Sequence, residues 1–181
     1  MTDMADTTGR SGVGTSGTGM SGAPGTGYAL DAVSRLHVMA AGVRGARIAE
    51  HVIPAPLAEV WAVMADLEGE FGRFQPDMRS VRILRVSGDR VEALARSKYG
   101  LRAHLRGVLR PGWCWLQSRF LIIGMAAAPE PGGGTRVALT GGVRVPGRAA
   151  IVPFGTASEL ARAMARLGAR VDARGGPGAD G

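Results

Sequence analysis

IPAPLAEVWAVMADLEGEFGRFQPDMRSVRIL, residues 53–84, is the stretch that decides the fold. It opens on the last residue of a strand pattern, ARIAEHVI over residues 46–53. Pro54 and Pro56 stop that strand, and Pro56 suits a first helical turn, where its missing N–H costs nothing. Residues 57–68 then read as a helix with Val60, Trp61 and Met64 on one face. EFGRFQPD, residues 70–77, is a short second helix or turn broken by Pro76. Alternation returns in RSVRILRV, residues 79–86, which reads as a second strand.

Outward from this stretch the pattern stays β for a long way. RVEALARSK (90–98), LRAHLRGVLR (101–110), WCWLQSRFLI (113–122), MAAAPE (125–130) and TRVALTGGVRV (135–145) are strands separated by turn signals. GGG at 132–134 is hairpin chemistry. The series closes with a helix over residues 156–172. Leu160, Met164, Leu167 and Val171 form its apolar stripe, and Arg162, Arg166 and Arg170 form a basic one. One strand, two short helices, six strands and a long amphipathic helix make an α+β class. Consecutive short strands imply an antiparallel sheet, and the last helix must bury its stripe on the sheet's concave face.

Upstream, YALDAVSRLHVMAA (28–41) reads as an extra N-terminal helix with Leu30, Val33, His37 and Ala40 on one stripe, ended by Gly42 and Gly45. Residues 1–27 hold eight Gly, six Thr and three Ser. Such a segment cannot offset its ordering entropy and is expected to be disordered. GVGTSG and GTGMSG within it match a dinucleotide-binding glycine pattern. They lack the preceding strand and following helix that the motif needs, so no nucleotide site is expected. The expected organisation is a leader (1–27), the helix and its linker (28–45), one domain (46–172) and a flexible tail (173–181).

The chain has 181 residues and a formal net charge of +7; arginine supplies 21 of its 22 basic residues. Residues 46–172 carry 18 basic and 11 acidic residues, so the whole excess falls on the domain. The single Cys114 forbids an intrachain disulfide and a multi-cysteine zinc site. His37, His51 and His104 lack metal-ligand spacing, so no metal and no cofactor is expected. FLIIGMAAA (120–128) is about half a membrane span, and no secretory leader is visible. A cytoplasmic protein, not integral to a membrane, is the expectation.

Ala55-Pro56, Val60-Trp61, Asp66, Phe74-Gln75-Pro76, Val81 and Ile83, together with EPGGGTRVAL (130–139), resemble the START/polyketide-cyclase (SRPBCC) superfamily, which shares the birch-pollen-allergen helix-grip fold. The resemblance covers residues 46–172. It implies a curved seven-stranded antiparallel sheet wrapped around a long C-terminal helix, with two short helices after strand 1. It also implies an internal pocket for a hydrophobic small molecule.

Period-two patterning assigns the pocket face. In the third and fourth strands Val91, Ala93, Ala95, Ser97, Ala103 and Leu105 share one face and the charged even positions share the other. Agreement between the two strands requires an odd-length loop, such as Tyr99-Gly100-Leu101. Ala95, Leu105, Leu160, Met164 and Leu167 are thus candidate ligand contacts, and Tyr99 a contact at the mouth. Matching the family's opening places His51 and Ile53 inward, making His51 either an acid/base or a hydrogen-bonded core residue. In the fifth strand, Cys114, Leu116, Ser118 and Phe120 compete with Trp113, Trp115, Gln117 and Arg119 for the inner face. Patterning favours the first set, with the N-terminal helix covering the tryptophans. The second set would bring Gln117 and Arg119 into the pocket, where Arg119 could hold a carboxylate or phenolate. His51 and Arg119 are the catalytic candidates.

Three functions follow. The first is a binder of a hydrophobic, cyclic small molecule; burying roughly 300 Å² of apolar surface gains about 7 kcal/mol. The second is a polyketide cyclase or dehydratase, with the outward basic stripe docking an acidic carrier protein that delivers the substrate. The third is an interaction module using that stripe on an anionic surface. Nucleic acid is not favoured, because no aromatic residues interleave the arginines.

Overall fold

The structure, a computed structural model, describes residues 30–143 and 156–175. The leader expected over 1–27 lies outside the described residues, as do 144–145 of the last expected strand and 176–181 of the tail. The described elements run α1 (Ala32–Ala41), β1 (Arg47–Ile53), α2 (Leu57–Ala65), α3 (Phe71–Phe74), β2 (Met78–Ser87), β3 (Arg90–Ser97), β4 (Arg102–Arg110), β5 (Trp113–Gln117), β6 (Leu121–Pro129), β7 (Thr135–Val143) and α4 (Ala157–Gly175). The strands form one curved antiparallel sheet in the order β1-β7-β6-β5-β4-β3-β2, which leaves β1 and β2 as its edges.

Proline and carboxylate chemistry shape the turn from β1 into the helices. The Pro56 carbonyl accepts from the Glu59 and Val60 N–H groups at 3.0 and 3.1 Å, opening α2. Asp66 ends it: its Oδ1 accepts from Gly69 N at 2.8 Å, and its carbonyl accepts from Glu70 and Phe71 N. Glu70 then ties α3 to α4. Arg170 donates to both of its carboxylate oxygens, at 2.7 and 2.9 Å. That paired fork is the strongest geometry open to arginine and carboxylate.

The sheet buries its concave face and, under α1, part of its convex face. On the concave side Ile53, Val137, Met125, Leu116, Leu105 and Ala93 join Val60, Phe74, Leu160 and Leu167 in the main core. On the convex side α1 packs Val33 and Leu36 against Trp113, Ala126, Ala128 and Ala138. Gly124 allows this approach: a Cβ there would stand 2.5 Å from Thr140 Cγ2 and 2.9 Å from Leu36 Cδ1. The convex tryptophans thus have the cover expected of the N-terminal helix.

Several boundaries differ from the sequence reading. The helix α1 begins after Asp31, whose Oδ1 accepts from Ser34 N at 2.9 Å. Leu30 therefore precedes the helix and is exposed, and the buried stripe is Val33, Leu36 and Ala40 rather than one through His37. The break between the expected strands 113–122 and 125–130 falls at residues 118–120, and Leu121–Pro129 is one strand running through Gly124. Ser118 Oγ accepts from Phe120 N (3.1 Å) and Leu121 N (2.9 Å), which turns the chain without glycine or proline. Helix α4 continues past Asp172 to Gly175, into the segment expected to be a flexible tail.

Candidate functional site

The β3–β4 hairpin builds the site. Ala93 faces Leu105, Ala95 faces Ala103 and Arg96 faces Arg102, so paired positions share parity, as the patterning requires. Ser97 N donates to Leu101 O at 2.9 Å, making the loop Lys98-Tyr99-Gly100, one position earlier than expected. Gly100 takes φ +82°, a left-handed conformation that a side chain would disfavour. Ser97 Oγ, buried, accepts from Tyr99 N and Leu101 N and stiffens the loop.

Between this hairpin and the Ser118 turn lies a cavity of about 360 Å³. Met78, Ala95, Ala103 and Leu121 supply apolar wall, and exposed Phe120 and Leu101 stand at its mouth. That volume falls in the range of ligand pockets, about 300–1,000 Å³. Arg119 lines the mouth, with its guanidinium carbon 5.3 Å from the Phe120 ring centre. Its side chain is exposed and makes no ion pair among the described residues.

A second, much smaller void of about 20 Å³ adjoins the cavity, with Met78 and Leu121 lining both. Asp77 and Gln75 reach this void from the chain entering β2, and Leu160 reaches it from α4. Asp77 is 2% exposed. Burial first, and then the charge of Glu159, push its carboxyl above the ordinary aspartate range; its own backbone N–H, Gln75 and Lys98 oppose the shift.

The expected site residues do not converge. Ala95 and Arg119 line the cavity. Leu105 and Leu167 are fully buried in the main core, and Leu160 lines the small void instead. His51 lies on the α4 side of edge strand β1, but it is exposed, not desolvated as an inward placement implied. It borders a separate groove with Met164, Gly168 and Asp172. The groove beside His51 is lined on α4 by the small residues Ala165, Gly168 and Ala169, which leave the imidazole open to water. Gln117 is exposed, because Cys114 and Leu116 hold the concave face while Trp113 and Trp115 face α1; the alternative with Gln117 inside is excluded. Tyr99 is 49% exposed at the hairpin tip and contacts Lys98 Nζ through its ring. His104 is exposed, with its Nε2 3.4 Å from Glu92, and it borders the cavity. Cys114 is buried, and desolvation pushes its thiol up to about 12, the environment of an inert side chain rather than a nucleophile.

Sequence reading missed Asp77 and the Ser118 turn. An acid after Pro76 looks like any turn aspartate; only the depth of the β2 entry distinguishes it. Among the described residues no group of His, Cys, Asp and Glu could hold a metal ion. No described helix is long and apolar enough to cross a membrane.

A curved antiparallel sheet gripping one long C-terminal helix defines a helix-grip fold. Among solved structures the chain is similar to TTHA0849 from Thermus thermophilus at 21% identity and TM-score 0.55, covering 72% of this chain and 99% of that one. It is also similar to the Zhui aromatase/cyclase from Streptomyces sp. R1128, at 17% identity and TM-score 0.55, covering 73% and 97%. DR_A0006 from Deinococcus radiodurans matches at 20% identity and TM-score 0.53, covering 72% and 99%. At these identities the likeness is one of fold. No protein-family model and no curated protein matches the sequence.

Proposed function

We propose that this protein binds a hydrophobic, cyclic small molecule in the cavity between the β3–β4 hairpin and the Ser118 turn. The observation that carries the reading is the cavity itself. It is about 360 Å³, walled by Met78, Ala95, Ala103 and Leu121, and open past Phe120. A ligand burying roughly 300 Å² there gains about 7 kcal/mol before association costs. Native mass spectrometry of the purified full-length protein tests this. A co-purified small molecule, or uptake of naphthalene in one-to-one stoichiometry, is expected. Failure to take up any apolar aromatic probe would contradict the reading.

A finer reading is a polyketide cyclase or dehydratase. It draws support from the fold shared with an aromatase/cyclase and from Arg119, whose free guanidinium suits an enolate or carboxylate at the mouth. Exposed Arg96, Arg102, Arg106 and Arg110 on the outer hairpin face would then dock an acidic carrier protein. In this reading the wild type turns over a polyketide-type substrate and Arg119→Ala does not; in simple binding neither protein turns it over.

A further inference from the structure

Asp77 is a buried acid without a full set of partners. Its Oδ1 makes no hydrogen bond among the described residues. Several other buried polar groups among the described residues are satisfied. Thr135 Oγ1 donates to Ala55 O at 2.7 Å, Thr140 Oγ1 to Arg47 O at 2.6 Å, and Glu70 holds Arg170. Among the described residues one further buried side-chain atom lacks a hydrogen bond, Arg136 Nε, and it belongs to a guanidinium already donating to Asp31 at 2.7 Å. An orphaned buried acceptor costs about 1–3 kcal/mol, so its retention asks for a reason.

The placement supplies one. Asp77 lines the small void, which has room for roughly one water-sized group. Met78 and Leu121 line both the void and the ligand cavity. The Asp77 carbonyl accepts from Lys98 N at 3.0 Å, fixing the acid to the hairpin that walls the cavity. The charged and polar groups around it are Glu159 on α4, Lys98 on the hairpin and Gln75 on the entry to β2.

We propose that Asp77 is the polar end of the binding site, and that the ligand is a hydrophobic molecule bearing a hydroxyl group, which enters the small void and hydrogen-bonds the Asp77 carboxyl. This rests on the cavity reading above. A hydroxyl both donates and accepts, so it satisfies the carboxyl in either protonation state.

Two probes that differ by one hydroxyl, naphthalene and 2-naphthol, test the proposal on the full-length chain. The wild type is expected to favour 2-naphthol over naphthalene, and Asp77→Leu to lower that ratio of affinities about tenfold or more. Should Asp77→Leu fail to fold, the wild-type Asp77 side-chain carboxyl ¹³C resonance, assigned by its loss in Asp77→Asn, gives the answer. It is expected to move with 2-naphthol and to stay in place with naphthalene. Binding of both probes with an unmoved resonance, or a preference unchanged in Asp77→Leu, would mean that water alone fills the void and would overturn the proposal. Binding of neither probe would overturn the cavity reading along with it.

Discussion

Glu70 and Asp77 are both buried acids, and their surroundings act on them in opposite directions. The Arg170 fork, aided by the charges of Arg73 and Arg174, holds the Glu70 carboxyl below the ordinary glutamate range against the cost of burial. Its stabilising contribution is therefore present above that range and is lost as pH falls through the folded value. Glu70→Gln is expected to lower the thermal midpoint at neutral pH, with the gap to wild type closing in acid. Asp77 has the opposite sign, because its folded value is raised. Its contribution is complete below the ordinary aspartate range and is lost as pH rises through the folded value. Asp77→Asn is thus expected to gain on wild type as pH goes from acid to neutral. A pH series of thermal unfolding curves checks both, and parallel profiles for variant and wild type would contradict either.

At the scale of elements, α1 is an addition on the convex face, and its hold on the sheet comes from few residues. Leu36 is fully buried against the sheet. Asp31 meets Arg136 at 2.7 Å and His37 meets Glu50 at 2.7 Å, pairs exposed enough to add little. Leu36→Ala is expected to cost roughly 2–5 kcal/mol. Partial release of α1 would also shift Trp113 and Trp115 emission to the red, which a denaturant series followed by fluorescence would record. Elements with a strong period were legible in the sequence: the parity of β3 and β4 and the stripe of α4 follow from side-chain alternation alone. The Ser118 turn was not, because a hydroxyl supplies what glycine or proline usually signals. The same turn sets the cavity mouth and places Arg119 at its rim, so its position mattered more to the site than any strand end.

At the scale of the molecule, the fold was legible and the site largely was not. Leu105 and Leu167 are fully buried in the main core, so these two residues read as cavity lining are packing instead, and Leu160 lines only the small void. Helix α4 lies over β1 and β7, so the open space falls toward β3 and β4, where no described helix covers the hairpin end. That offset depends on how far the sheet curls relative to the helix, a tertiary quantity that periodicity does not encode. It separates the acids and bases expected to cooperate, leaving His51 in a different groove from Arg119. The offset space is where an apolar ligand is proposed to bind. Ala103 is half-buried on its wall, and a phenyl ring there would occupy the space a ligand needs. The most direct measurement is the affinity of the full-length protein for naphthalene, compared between wild type and Ala103→Phe at matched thermal stability. A loss of about tenfold or more in the variant is the result expected. Equal affinity in the two proteins would mean that this space does not hold the ligand.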